Sequence, residues 1–229
     1  MHVEAAAASA QVLLGPQTPV LAIQNGLGSV EKVARSLGAD RVLKGVAGGF
    51  GASVVAPGHV HHNSWQLIRL GEMEGPVTPR LESLTAVWRQ AGFKVKAFDN
   101  IDQLVWEKLI CNVCYSGPCG VLDKTIGEVM ADEAAWQVAS KCAAEAFEVA
   151  QALGISLDFA DPVQYVRDFG AQIPDARPSL LLDLMAGRKS EIEAINGAIP
   201  PLARKVGLAA PYNEVITALV QARENSPGG

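Results

Sequence analysis

The 229-residue sequence has no run of Lys or Arg and no basic stripe, and its net charge is -5. Nucleic-acid binding rests on cationic contacts to phosphate, so no nucleic-acid partner is expected. No apolar run reaches the length of about 20 residues that a membrane span needs, so no membrane partner is expected either. The start, Met1-His2-Val3-Glu4-Ala5, lacks the basic and apolar regions of a signal peptide, and a cytoplasmic location is expected. Internal repeats and low-complexity segments are absent. Cysteine is scarce: Cys111, Cys114, Cys119 and Cys142 are all there is. Cys111 and Cys114 have redox spacing but lie inside a helical pattern, not at a strand-to-helix turn. No second ligand pair stands at zinc spacing, so the four are read as small apolar packing residues. Of His59, His61 and His62, only the first and second share a strand face, and no acidic or cysteine ligand lies nearby. No metal is expected.

Hydrophobic residues make up 49% of the chain and charged residues 19%, enough for a substantial core in one large or two small domains. The most informative stretch is 101–116. It reads as a helix capped by Asp99 or Asn100 and apolar on most of its circumference: Ile101, Leu104, Val105, Trp106, Leu109, Ile110 and Val113. Lys108, Asn112 and Ser116 fall at i, i+4 and i+8 and stack on one face. An ammonium, an amide and a hydroxyl in line on a buried helix suit a cleft for a small oxygen-rich ligand. The alternative is a surface lysine whose stem lies on apolar neighbours.

Residues 4–14 have helical periodicity, and 18–23 form a short apolar run read as a buried strand. Gln24-Asn25-Gly26-Leu27-Gly28 and a helix over 29–37 follow, which makes a strand–turn–helix unit. Ligands of open α/β sheets sit at carboxyl ends of strands, where Asn25 stands; the alternative is a turn residue tolerating a left-handed backbone. A strand is expected over 41–47, then three strands over 53–56, 59–62 and 65–70 as a meander extending the sheet. A helix over 80–91 and a strand over 93–98 complete this half. Helices are predicted over 101–117, 132–153, 160–169, 178–186, 190–206 and 212–224, with a tail over 224–229. The boundary is placed near residue 99, which gives domains 1–99 and 100–229. Ser190-Glu191-Ile192-Glu193 has capping-box spacing, and Ser179 follows Pro178 at another helix start. On the residues alone, Ser179 and Ser190 are caps, and Glu191 is a first-turn acid suited to the helix dipole. No G-x-G-x-x-G opens the first half, and Gly45 to Gly51 does not qualify because no helix follows it.

Four short pieces in order give a resemblance: Gln24-Asn25-Gly26 with Gly28, Gly58-His59-Val60, Trp106-Glu107-Lys108-Leu109 with Asn112, and Ser190-Glu191-Ile192-Glu193 with Asn196-Gly197. From near its N-terminus to about residue 224 the chain resembles the ketopantoate reductase (2-dehydropantoate 2-reductase) family. The resemblance implies an α/β fold followed by an all-α one. That is an incomplete Rossmann-type sheet, lacking its glycine-fingerprint front part, plus a helical C-terminal domain of the 6-phosphogluconate dehydrogenase-like type for substrate binding and dimerisation. It implies NADPH-dependent reduction of ketopantoate to pantoate, with Lys108 as the general acid. Asn25 would touch cofactor and substrate, Asn112 and Ser179 substrate oxygens, Glu191 the cofactor while ordering the site, and Gly51 the cofactor by its backbone. Hydride attack on a ketone leaves negative charge on oxygen, which a cation or hydrogen-bond donors stabilise.

The sequence departs from the family in several places. Ser116-Gly117 replaces a second asparagine followed by proline, so Ser116 makes the weaker substrate contact. A further substrate-contacting asparagine of some family members falls near Ile126, which cannot do that job. Pro200-Pro201 interrupts the helix begun at Ser190, where a kink is expected. The front part of the nucleotide-binding domain is missing, which leaves an open sheet edge and an uncovered face; the chain alone is expected to bind NADPH weakly or not at all. The rival readings are a reductase of another small 2-oxo acid, a truncated non-catalytic helical dimerisation module, and, more distantly, a metal-dependent hydrolase. A homodimer through the helical half is expected from its surplus of apolar faces.

Overall fold

The computed structural model describes residues 3–49, 51–64 and 66–226. Trp65, the expected first residue of the third meander strand, and residues 227–229 of the expected tail lie outside the described residues. The chain divides into two compact units, His2–Gln24 with Ser29–Val105, and Asn25–Gly28 with Trp106–Gly229.

The first unit is α/β. Its elements are α1 (Val3–Ala10), β1 (Val20–Ala22), α2 (Ser29–Leu37), β2 (Val42–Ala47), β3 (Gly51–Ala56), β4 (His59–Ser64), β5 (Ile68–Glu72), α3 (Pro79–Gln90) and β6 (Val95–Ala97). The main sheet has the order β1-β2-β5-β6. β1 lies parallel to β2 and β5 parallel to β6, while β2 and β5 are antiparallel with Gly45 opposite Leu70. Successive strand residues face opposite ways. Val42 therefore packs with Val3, Ala7, Ala22 and Val33, and its neighbour Leu43 with Ile68, Leu70, Leu81 and Val95. α1 and α2 pack on one face at β1 and β2, and α3 packs on the other against β5 and β6. The expected meander is corrected. β3 and β4 form a separate two-stranded hairpin, and β5 pairs directly with β2. With β1 on its other side, β2 has no edge left for the hairpin to extend. The hairpin's valines stay exposed, Val54 by 76% and Val60 by 60%.

The buried Glu72 at the end of β5 accepts from the Thr78 hydroxyl and from the Arg80 guanidinium, which tethers the start of α3 to the sheet. α4 (Ile101–Leu122) begins in this unit. Its cap is Asn100, whose Oδ1 accepts the Gln103 N–H at 3.3 Å, while Asp99 Oδ1 accepts the Val77 N–H at 2.8 Å. Gly71 lets the helix start close on β5: a Cβ there would lie 2.4 Å from the Ile101 Cβ.

The second unit is helical: the rest of α4, α5 (Ile126–Ala131), α6 (Glu133–Ala152), α7 (Pro162–Ala171), α8 (Ser179–Met185), α9 (Ile199–Lys205) and α10 (Pro211–Glu224). α4 runs through Gly117-Pro118 to Leu122, beyond the predicted end at 117. α5 was not predicted, although Thr125 and Glu128 form a full capping box at its start. The helix predicted over 190–206 is corrected. Two 3-10 turns, Ile192–Ala194 and Asn196–Ala198, precede α9, and the backbone breaks at Ile195 with φ -103° and ψ -98°. Ser190 forms no capping box; its Oγ accepts the Ile192 N–H at 3.3 Å, and the 3-10 turn has no side-chain cap. Pro200 and Pro201 do not kink a helix but start one, where the missing N–H groups need no intrahelical partner.

Leu109, Ile110, Val113 and Tyr115 of α4 pack on the Ala139, Ala143, Ala146 and Ala150 stripe of α6. All four cysteines are buried and none is in a disulfide. Burial pushes the Cys111 and Cys119 thiols up to about 12, and raises those of Cys114 and Cys142 too.

Candidate functional site

The 25–28 turn follows β1 in sequence, yet packs with the helical unit. Gly26 is left-handed at φ +77°, and a Cβ on it would lie 2.1 Å from the Ala194 carbonyl oxygen. Only glycine meets both demands without strain. The next residue completes the clip, Leu27 N–H donating to Ala194 O at 2.8 Å. The clip presents the Asn25 side chain between two charged groups. Lys108 Nζ donates to Asn25 Oδ1 at 2.6 Å, and Asn25 Nδ2 donates to Glu191 Oε2 at 3.0 Å. The carbonyl end of the amide faces the cation and its NH2 end faces the carboxylate, so one orientation satisfies both partners. All three side chains are half-buried.

Lys108 lies one turn inside the helical unit on α4. Asn112 and Ser116 follow on the same helix face, Asn112 half-buried and Ser116 5% exposed. Neither belongs to the Lys108–Asn25–Glu191 chain of hydrogen bonds. Ser179 is the exposed first residue of α8, with Pro178 as N-cap and no side-chain cap bond. Gly51 opens β3 in the other unit, opposite Ser64. Ile126 is buried at the start of α5, unable to bind a polar group.

A second polar group escaped the sequence reading as a group. Asn196, fully buried, donates through Nδ2 to Val113 O at 2.9 Å and to Asn213 Oδ1 at 3.0 Å. Asn213, also fully buried, donates through Nδ2 to Glu145 Oε2 at 2.7 Å and to Cys142 O at 3.0 Å. Glu145 also accepts the Tyr212 and Asn213 N–H groups, capping α10 from α6. The available signal was a polar residue interrupting an apolar pattern at each position, which does not say which polar residues meet.

The Lys108–Asn25–Glu191 arrangement offers a cation, an amide and one carboxylate. That set can bind a small oxygen-rich anion and give a proton to an oxygen gaining negative charge. Among the described residues no group of three or more His, Cys, Asp or Glu stands ready to hold a metal ion.

Comparison with known proteins shows which family the chain is similar to. Residues 100–224 match the family described as ketopantoate reductase PanE/ApbA C terminal, and residues 1–75 match ketopantoate reductase PanE/ApbA. A 2-dehydropantoate 2-reductase of Archaeoglobus fulgidus is 31% identical over 206 residues, covering 90% of this chain and 68% of the relative. A crystal structure of a PanE/ApbA family ketopantoate reductase from Ralstonia eutropha JMP134 superposes with a TM-score of 0.87 at 28% identity, over 98% of this chain and 72% of that one. A D-mandelate dehydrogenase in complex with NADH gives a TM-score of 0.89 at 26% identity, over 100% of this chain and 77% of that one.

Proposed function

The chain belongs to the ketopantoate reductase PanE/ApbA family, and from that premise we propose that it reduces ketopantoate (2-dehydropantoate) to pantoate with NADPH. The observation that carries the reading is the Lys108–Asn25–Glu191 chain of hydrogen bonds. NADPH, when bound, supplies a hydride to the substrate's carbonyl carbon. The residues present fit that cofactor in part. Asn25 stands in the turn after a parallel strand, where ligands of open α/β sheets bind, whereas no G-x-G-x-x-G for the pyrophosphate occurs in the 229 residues. Gly51 offers a backbone contact at the start of β3.

The carbonyl oxygen becomes an alkoxide. Lys108 Nζ stabilises the developing charge and gives up a proton to it. Asn25 orients Lys108 and faces cofactor and substrate together. Glu191 fixes the Asn25 amide and meets the cofactor. Asn112, Ser116 and Ser179 bind substrate oxygens. NADPH oxidation with ketopantoate, followed for this chain and for Lys108→Ala, tests the assignment. The substitution is expected to lower kcat/KM by about 10²- to 10⁴-fold, the usual contribution of a positioned acid. An undiminished rate removes Lys108 from that role.

A second reading, reduction of a different small 2-oxo acid, is favoured by Ser116 and Ile126 and by the likeness to a D-mandelate dehydrogenase. Relative kcat/KM on ketopantoate and on 2-oxo acids with aromatic side chains separates the two. We further assign a homodimer through the helical unit. An apolar groove of about 680 Å³, lined by Pro118, Leu122, Val138, Val215 and Leu219, runs between α4, α6 and α10, and a second copy is the proposed occupant. A cytoplasmic location is supported by four thiols with no disulfide among them.

A further inference from the structure

Residues 190–196 carry Glu191 and Ala194, the two groups that hold the Asn25 turn, yet the segment contains no α-helix. Its position is set from outside, at both ends. At one end the Ser190 hydroxyl and N–H donate to Glu224 Oε1 at 2.6 and 2.8 Å, at the last residue of α10. At the other end Asn196 Nδ2 donates to Val113 O on α4 and to Asn213 Oδ1, near the start of α10. Asn213 is itself held by the buried Glu145 carboxylate of α6, through its side chain at 2.7 Å and its N–H at 3.0 Å. The segment is a strap laced to α10 at each end, and Asn196 ties it to the same helix that carries Lys108 and Asn112.

Asn196 Oδ1 is buried without a hydrogen-bond partner among the described residues. It lies close against Gly117, where a Cβ would be 2.7 Å away. An unpaired buried acceptor costs stability, so stability alone does not account for an asparagine here. Its two donors do, because each fixes a different element in one geometry.

We propose that Asn196 is a positioning residue for the reduction site: by holding the strap it sets the place of Glu191 and Ala194, and through them the place of the Asn25 amide beside Lys108. The inference rests on the reading of the Lys108–Asn25–Glu191 site given under Proposed function. The test uses the chain labelled with 15N at asparagine, together with steady-state rates. The Asn25 side-chain NH2 resonances are compared in the parent chain, Asn196→Ala, Ser190→Ala and Val149→Ala, a core substitution on α6 that removes none of these hydrogen bonds. Asn196→Ala and Ser190→Ala are expected to shift the Asn25 side-chain resonances. They are also expected to lower kcat for the 2-oxo acid by about tenfold or more with little change in KM, as misplacement of reacting groups does. Val149→Ala is expected to lower the melting temperature and leave the Asn25 resonances in place. Unmoved Asn25 resonances in both strap variants overturn the proposal, whatever happens to their stability. If Asn196→Ala does not fold, Ser190→Ala decides alone. A moved Asn25 resonance in a chain that turns over no 2-oxo acid supports the positioning role and counts against turnover by this chain alone.

Discussion

A Cβ at Gly26 would sit 2.1 Å from the Ala194 carbonyl oxygen, on a backbone already at φ +77°. Gly26→Ala must open the turn or push residue 194 away, and either movement takes Asn25 off Lys108. The expected outcome is a loss of more than about 2 kcal/mol in stability, read by urea unfolding, together with a greater loss of activity than Gly28→Ala causes. At Gly28 a Cβ meets nothing within 4 Å, so only its left-handed φ of +88° is disturbed. The cysteines give a second expectation at this scale. With their thiols held up to about 12 or raised by burial, almost no thiolate exists at pH 8, so a thiol reagent labels the native chain only as fast as it unfolds. Rapid labelling of any cysteine in folded protein would contradict this. Individual residues were legible where helical spacing alone aligns them, as with Lys108, Asn112 and Ser116. The partners of Asn25 were not, because spacing carries no information on what lies 83 and 166 residues away.

The tether between β5 and α3 is sensitive to acid. Burial raises the Glu72 pKa, but the Arg80 and Thr78 hydrogen bonds and the Arg80 charge outweigh it, and the carboxyl is held below its ordinary value. A depressed carboxylate contributes stability above its unfolded-state pKa and loses it as pH falls through the folded value. Denaturant midpoints should therefore decline below about pH 4.3. Arg80→Met should flatten that decline and cost about 2 kcal/mol at pH 7, an amount reduced by the partial exposure of the arginine. An unchanged acid profile in the variant would show that Glu72 owes its low pKa to other groups. Elements with strong local signals were read well from sequence. α2 occupies 29–37 as predicted, and α3 starts one residue from its expected position. The segment from 190 to 206 was misread because its apolar pattern fits a helix, while the chain breaks at Ile195, next to an asparagine bonded to other elements, which a local pattern does not reveal. The hairpin was misassigned since alternation identifies strands without naming their partners.

For the molecule as a whole, the fold class was legible because apolar runs of strand length give way near residue 100 to long helical periodicities. The assignment of the 25–28 turn to the helical unit was not, since the turn is brought there by contacts distant in sequence. The proposed dimer gives a prediction at this scale. Val215 and Leu219 are 57% and 47% exposed on α10 beside the apolar groove. Val215→Arg should convert a dimer into a monomer in sedimentation velocity, and a monomeric parent chain would refute the assembly. The hydrogen bond from Asn25 to Glu191 joins residues 166 apart in the chain. At translation rates of about 5–20 residues per second, Asn25 waits roughly 8–30 s on the ribosome before its carboxylate partner is made. The three-residue chain of hydrogen bonds is therefore closed only once residue 191 has been added. A chain broken off before that point keeps its sheet strands and the bond from Lys108 to the Asn25 carbonyl, but lacks the carboxylate that holds the NH2 end of the same amide, so an arrested chain and a finished one differ in whether the amide is held at both ends.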